Sequence, residues 1–394
     1  MKHRLLTLAL VLLPLLAACG DSDSESTHNG TNNGATNNGA TNNGTTNNGA
    51  TNNGATNNGD YPTIQRENGW IEVVPGGETT CSRGAPFAFF VNPGTENKLV
   101  VDFIGGGACW NDLTCSIAGS IFSETVDGVR DAASDVAGIY DRQNPDNPFR
   151  TWTHVIIPYC TGDIHWGNSV QTYREPGSEF QINHKGAVNA RAVLAWTWER
   201  YASPDNVLVT GCSAGSYGSI GWAPYVMRQY PDTRVVQFGD SGAGVITDTF
   251  FEDSFPRWNA QEIFPDWISA LDLTVVDYKT LALPDLYSGV GNFYPNHIVS
   301  QYNTILDENQ TFYFQAMGGG TAQEWSDQMV ASIAETHTAT PNFHSFTAPG
   351  EMHCILPYNE FYSVQSDGVK LTDWLEALID GQPLPDVDCA ECSN

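Results

Sequence analysis

Basic residues are scarce in this chain. Lysine and arginine number 17 against 45 aspartates and glutamates, a formal net charge of -28. Loss of the leader with Lys2 and Arg4 leaves 15 against 45, or -30. So few cations cannot replace the counterions of a phosphate backbone, which excludes nucleic acid as a partner. The same balance opposes adsorption on anionic lipid and implies a well-solvated surface. It also disfavours strongly acidic substrates unless the cleft is locally neutral. Membrane-spanning runs are missing too, because the apolar stretch from Leu5 to Ala18 is too short for a mature transmembrane helix. Residues 21–60 hold no Phe, Trp, Tyr or large aliphatic side chain: a polar tract from Asp21 to Gly30 precedes six copies of Thr-Asn-Asn-Gly-Ala or close variants. Nothing there offsets the entropy of ordering, so the segment reads as a disordered tether holding its cargo roughly 35 Å from an anchor.

The leader itself is informative. Lys2 and Arg4 precede the apolar run, as in a secretory signal. Leu16-Ala17-Ala18-Cys19 resembles the lipobox of bacterial lipoproteins, whose cysteine becomes the lipidated first residue, and Gly20 leans toward the outer membrane. The expected organisation is a lipoprotein signal peptide over 1–18, a lipidated Cys19 with its tether to residue 60, and one globular domain over 61–394. Contact with the cell envelope would run through the lipid anchor only. If Cys19 is acylated, eight of the nine cysteines remain, an even number in an oxidising compartment. Cys109 with Cys115 and Cys389 with Cys392 are nearest in sequence, but about a hundred complete pairings are open. The wide spacings, without histidines in register, argue against a metal cluster.

From Tyr61 onward the composition turns to Trp, Phe, Val and Ile, and the segment is long enough for one domain with insertions. Apolar runs at Lys98 to Ile104, Thr153 to Pro158, Asn206 to Thr210 and Arg234 to Phe238 read as buried strands. Helical spacing marks Lys185 to Tyr201 and Tyr217 to Tyr230. Later strands are expected at Ile298 to Tyr302 and Thr311 to Ala316, later helices at Asp327 to Glu335 and Leu371 to Ile379. This alternation predicts a largely parallel central sheet flanked by helices, and the Gly-x-Ser-x-Gly turn at Gly211 to Gly215, directly after the third strand, makes the expected fold α/β-hydrolase-like.

One strand-to-helix junction carries the chemistry. Gly211-Cys212-Ser213-Ala214-Gly215 is a Gly-x-Ser-x-Gly unit between an apolar strand and a helix, where small flanking residues permit a strained turn that lifts Ser213 Oγ into a cleft. Cys212 precedes the apex and is better placed for a disulfide. A second cluster, Gly105-Gly106-Gly107-Ala108-Cys109-Trp110, also follows a strand. It lacks the later glycine of a dinucleotide fingerprint and any phosphate-loop lysine. Backbone N–H groups near Gly106 and Gly107, with that of Ala214, suit an oxyanion. A serine needs a base. His353 lies late in the chain in a loop, completing the order Ser, acid, His; a bridge from Cys354 would fix that loop. His297, His337 and His344 are weaker bases, while His154, His165 and His184 precede the serine and are cleft-lining or structural. Asp307 is the first choice of acid, with Asp240 and Asp327 as alternatives. Trp110, Tyr159, His165 and Trp166 are candidate substrate-binding side chains.

With these residues in hand, the chain resembles the pectin acetylesterase family, which includes the animal carboxylesterase Notum. The resemblance runs over about residues 69–378 and rests on Gly105 to Asn111 with Cys115, Ile157 to Asp163, Gly211 to Gly215, Gly239-Asp240-Ser241-Gly242 and Leu306 to Gln310. It implies Ser213 as nucleophile, Asp307 as acid, His353 as base, and Gly106 and Ala214 as oxyanion donors. Gly107 and Ala108 stand where Notum-like members carry bulky aromatics. Members deacetylate pectin or remove a fatty acyl group from a protein, so the resemblance implies serine ester hydrolysis without a metal or organic cofactor. The expected substrate is an acyl ester, carried by an esterified polysaccharide, another polymer or a small alcohol. A noncatalytic glycan- or protein-binding module on the same scaffold would suit the tether equally well, and a peptidase would share the nucleophilic chemistry.

Overall fold

Consecutive apolar runs assemble into one nine-stranded sheet in the computed structural model, which describes residues 61–132, 137–247 and 249–393. The leader, Cys19 and the repeat tract lie outside the described residues. The strands are β1 (Thr63–Gln65), β2 (Ile71–Val73), β3 (Phe89–Asn92), β4 (Lys98–Phe103) and β5 (Thr153–Ile157), a separate hairpin of β6 (Ser169–Glu175) and β7 (Ser178–His184), then β8 (Asn206–Cys212), β9 (Arg234–Asp240), β10 (Ile298–Thr304) and β11 (Phe343–Ala348). Their order in the sheet is β1-β2-β3-β5-β4-β8-β9-β10-β11. All pairings from β5 to β11 are parallel, and β1, β2 and β3 add an antiparallel edge.

Period-two alternation explains why both faces of the parallel block are buried. In β4, Leu99, Val101 and Phe103 join one core and Val100 the other; in β8, Val207 and Val209 oppose Leu208 in the same way. The helices are α1 (Asp112–Ser116), α2 (Asp127–Ala132), α3 (Gly186–Arg200), α4 (Ala214–Gln229), α5 (Phe250–Trp258), α6 (Leu283–Phe293), α7 (Glu308–Ala316), α8 (Ala322–Ala339) and α9 (Leu371–Asp380). α3, α4, α6 and α8 bury apolar side chains in the first core. The stripe Leu371, Trp374, Leu375, Leu378 and Ile379 of α9 covers the second. Each such side chain contributes about 1.5–3 kcal/mol by burial, so Leu375→Ala would cost roughly 2–5 kcal/mol.

Two departures from the sequence expectation have identifiable causes. Thr311 to Ala316, expected as a strand for its β-branched and aromatic content, belongs to α7. Asp307 decides this: its carboxylate accepts the N–H groups of Asn309 at 3.0 Å and Gln310 at 2.8 Å, an N-cap that outweighs propensity. β11 was not expected at all, and it forms one edge of the sheet. Its outer side is met by Val387, which donates its N–H to Ser345 O and accepts from Thr347 N.

Chain order and sheet order diverge at one place. β4 is flanked by β5 on one side and β8 on the other, so successive connections leave in opposite directions there. The crevice beyond the carboxyl ends of such a strand pair is where open α/β sheets bind ligands. β4 ends at the glycine loop and β8 at Ser213.

Candidate active site

Ser213 caps the start of α4 with φ 57° and ψ -123°, a conformation that L side chains rarely adopt. The turn closes because Gly215 has no side chain: a Cβ there would collide with the carbonyl of Phe103 at the end of β4. Across the crevice Gly107 has φ 77°, and a Cβ on it would run into Ile121 O and the Tyr313 hydroxyl. Only glycine fits that position. Tyr313 donates to Ile121 O, and Ser123 N donates to Gly106 O at 2.8 Å, so the loop is pinned from outside. Neither Gly106 nor Gly107 donates its N–H to another backbone group among the described residues, and the N–H of Ala214 belongs to the first turn of α4, outside the helical ladder.

His353 sits in the loop after β11. Its Nδ1 lies 3.0 and 2.9 Å from the two carboxylate oxygens of Asp307, which is fully buried. Its Nε2 is buried and has no hydrogen-bond partner among the described residues. The neighbours in sequence are covalently joined: Cys212, before Ser213, is disulfide-bonded to Cys354, after His353. This is the bridge expected from Cys354, now with its partner. Among the described residues, Cys81–Cys160, Cys109–Cys115 and Cys389–Cys392 are the other three.

Ser213 and His353 line two cavities of different character. One, of about 80 Å³, is walled chiefly by apolar side chains, among them Trp110, Trp166, Ile246, Phe250, Leu283 and Met317, and Gly107 and Ala214 also border it. The other, of about 730 Å³, opens along Gly105, Gly106 and Gly107 past Ser123, Thr125, Tyr140, Tyr159 and Tyr358.

The pectinacetylesterase family model matches residues 71–269, half of the chain. The chain belongs to that family. As a member it is an ester hydrolase, and the match contains the glycine loop and Ser213 but stops before Asp307 and His353. Among solved structures, two crystal forms of the Wnt deacylase Notum from Drosophila are similar in fold. Form I aligns at 18% identity and TM-score 0.55 over 83% of this chain and 95% of that one. Form II aligns at 18% identity and TM-score 0.57 over 84% and 97%. No curated protein matches.

The remaining sequence-selected residues of this pectinacetylesterase-family chain divide cleanly. Trp110 and Trp166 line the small cavity and Tyr159 the large one. His165 borders neither. It is buried behind the glycine loop, where Nε2 lies 2.9 Å from Ile104 O, and burial lowers its pKa to about 4. A neutral ring with Nε2–H donating there holds the end of β4 rather than substrate. His154 is paired with Asp102 at 3.1 Å, and burial takes His184, bonded to Thr161 O and Tyr173, down to about 3. His297 accepts from Val235 N, while His337 and His344 gather around Asp386. Asp327 is exposed on α8 and accepts from Gln323. Asp240 is fully buried against the backbone that follows His353. The sequence reading missed most walls of the small cavity, although the run Val245, Ile246, Phe250, Phe251 was the available signal.

Proposed function

We propose that this esterase is a serine hydrolase working through an acyl-enzyme, with Ser213 as nucleophile, His353 as general base and Asp307 as the acid that fixes the imidazole tautomer. The observation that carries this reading is the His353 ring: Nδ1 is held by a buried carboxylate while Nε2 is left without a partner in a wall that Ser213 shares. In the first half-reaction Nε2 takes the Ser213 proton as Oγ attacks the ester carbonyl. The oxyanion faces the N–H groups of Gly106, Gly107 and Ala214, each donor contributing roughly 3 kcal/mol in the transition state. Collapse returns the proton to the leaving alcohol. Water, deprotonated by the same nitrogen, then attacks the acyl-enzyme and releases the carboxylic acid.

The two cavities support a division of substrate. A volume of about 80 Å³ is smaller than the ~150 Å³ dry cavity that accepts benzene, so it suits an acyl group of a few carbons. The larger, more polar space suits a bulky hydroxylated alcohol such as a sugar unit of an acylated polysaccharide. The lipobox-like Leu16 to Cys19 and the repeat tract support a lipid-anchored enzyme on the cell envelope. Covalent labelling with an organophosphonate tests the chemistry: a single adduct on Ser213, lost in Ser213→Ala and kept in the exposed, remote Ser203→Ala, is expected. No adduct on the oxidised native chain would count against the nucleophile.

A further inference from the structure

The motif Gly239-Asp240-Ser241-Gly242 ends β9, the strand next to β8, and its polar side chains do something the triad does not require. Asp240 and Ser241 are both buried. The Asp240 carbonyl accepts the N–H of Ser213 at 2.9 Å. Its carboxylate reaches the other way, where Oδ2 accepts Ile355 N at 2.8 Å and Leu356 N at 2.9 Å, the second and third residues after His353. Ser241 Oγ accepts Cys354 N at 2.9 Å and donates to Asp240 Oδ1 at 3.1 Å. Three non-glycine residues at this junction, Ser213, Ser241 and Cys354, have φ between 55° and 66°. Strain of that kind persists only where surrounding bonds over-determine it.

We propose that Asp240 is a positioning residue that holds the nucleophile with its main chain and the base with its side chain, Ser241 completing the clamp. This rests on the assignment of Ser213 and His353 above. The arrangement is costly, which argues that it serves more than packing. No lysine or arginine pairs with Asp240 among the described residues, and burial raises its pKa to about 6, against the pull of the Leu356 and Ile355 N–H groups and of His353. An uncharged residue would sit there at lower cost. A carboxylate gives two things instead: acceptors for three successive amides, one of them through Ser241, and a second negative charge near an imidazole that must become positive in the transition state. Among the described residues, the titratable groups whose charges act on it include His353 on the loop, Tyr302 on β10 and Tyr140 on the turn after α2, and of these three His353 alone can carry positive charge.

The test uses the full oxidised chain. Asp240→Asn keeps the shape and removes the charge; Ser241→Ala keeps the charge and removes the bond to Cys354. For Asp240→Asn, kcat on a short-chain ester is expected to fall by tenfold or more with KM within about twofold, as for a loss felt in the transition state. The His353 titration midpoint, read by NMR, and the acid limb of the pH–rate profile should both move to lower pH, because the imidazolium loses a favourable charge. Ser241→Ala should lower kcat several-fold without moving the midpoint. If Asp240→Asn does not fold, Ser241→Ala carries the test of positioning. Folded variants with parental kcat and an unmoved His353 midpoint would overturn the proposal, whatever their thermal stability. Failure of the parent chain to label at Ser213 would instead remove the nucleophile, and the NMR arm would still decide the role of Asp240.

Discussion

Asp307 holds His353 and begins α7 with the same carboxylate: both oxygens lie within 3.0 Å of the ring Nδ1, while Oδ1 also caps the amides of Asn309 and Gln310. The two duties respond differently to substitution. Asn caps a helix nearly as well as Asp, so Asp307→Asn should change stability little, whereas Asp307→Ala should cost about 1 kcal/mol for the lost cap. Both should lower kcat by about 10⁴, the loss expected when the imidazole tautomer is no longer fixed. Thermal unfolding and steady-state kinetics on the two variants separate the contributions. A fall of less than tenfold in Asp307→Asn would pass the role to another carboxylate.

Acyl size should be read at the small cavity. Esters with two to four acyl carbons are expected to be the best substrates, with kcat/KM falling at least tenfold by about eight carbons, since a methylene excluded from an apolar pocket forfeits roughly 0.8 kcal/mol. Met317 lines that cavity. Met317→Ala should move the optimum to longer chains, checked with a homologous series of nitrophenyl esters. Equal rates across the series would mean that the acyl group lies elsewhere.

The Cys212–Cys354 bridge closes a loop of 142 residues and joins the neighbours of Ser213 and His353. A crosslink of that span is worth up to about 4–5 kcal/mol through the unfolded chain. The double variant Cys212→Ala, Cys354→Ala should therefore unfold at clearly lower denaturant. It should also lose activity tenfold or more while still folded, because the backbone carrying His353 then loses its covalent tie to the Ser213 turn and keeps only hydrogen bonds, among them those to Asp240, Ser241 and Thr304. Unchanged kcat in the folded double variant would confine the bridge to stability.

Stability against pH carries opposing terms. His165 and His184 have folded pKa values lowered by burial to about 4 and about 3. The unfolded chain binds their protons first, so this contribution is present above about pH 6.5 and is lost as pH falls toward 4. Asp163 and Asp240 have folded values raised by burial to about 6. There the folded chain binds protons first, so this contribution grows as pH falls from about 6 to 4. The unfolding temperature should consequently change little across that window. Relative to its own value at pH 6.5, His184→Gln should become more stable at pH 4 than the parent does, a slope measurable by calorimetry. A parallel profile in the variant would show that His184 is not buried in its neutral form.

What the sequence revealed follows from which interactions are local. The central strands β4, β5, β8 and β9 were readable because burial on both faces makes them nearly unbroken apolar runs. Ser213 was readable because its turn needs small residues at fixed offsets. β11 was not, since His344, Ser345 and Thr347 look polar until Asp386 and Val387, about 40 residues later, meet them. The β6–β7 hairpin escaped for a similar reason: along its two strands only Tyr173, Ile182 and His184 are buried. For His165 the sequence leaves cleft-lining and structural roles both open, because a histidine in a polar, glycine-bearing turn gives no hint that a carbonyl from another strand will occupy it.

The short stretch around Val387 along β11 has a further consequence for how copies of this enzyme behave together. A terminal strand with free amides is a template on which a second chain can add, and proteins blunt such rims by covering or shortening them. Here one rim is the three-residue β1 and the other is shielded by Val387. The sheet therefore offers only a short rim at one side and a covered one at the other, and clipping the polypeptide before Asp386 would uncover a ribbon prone to self-association.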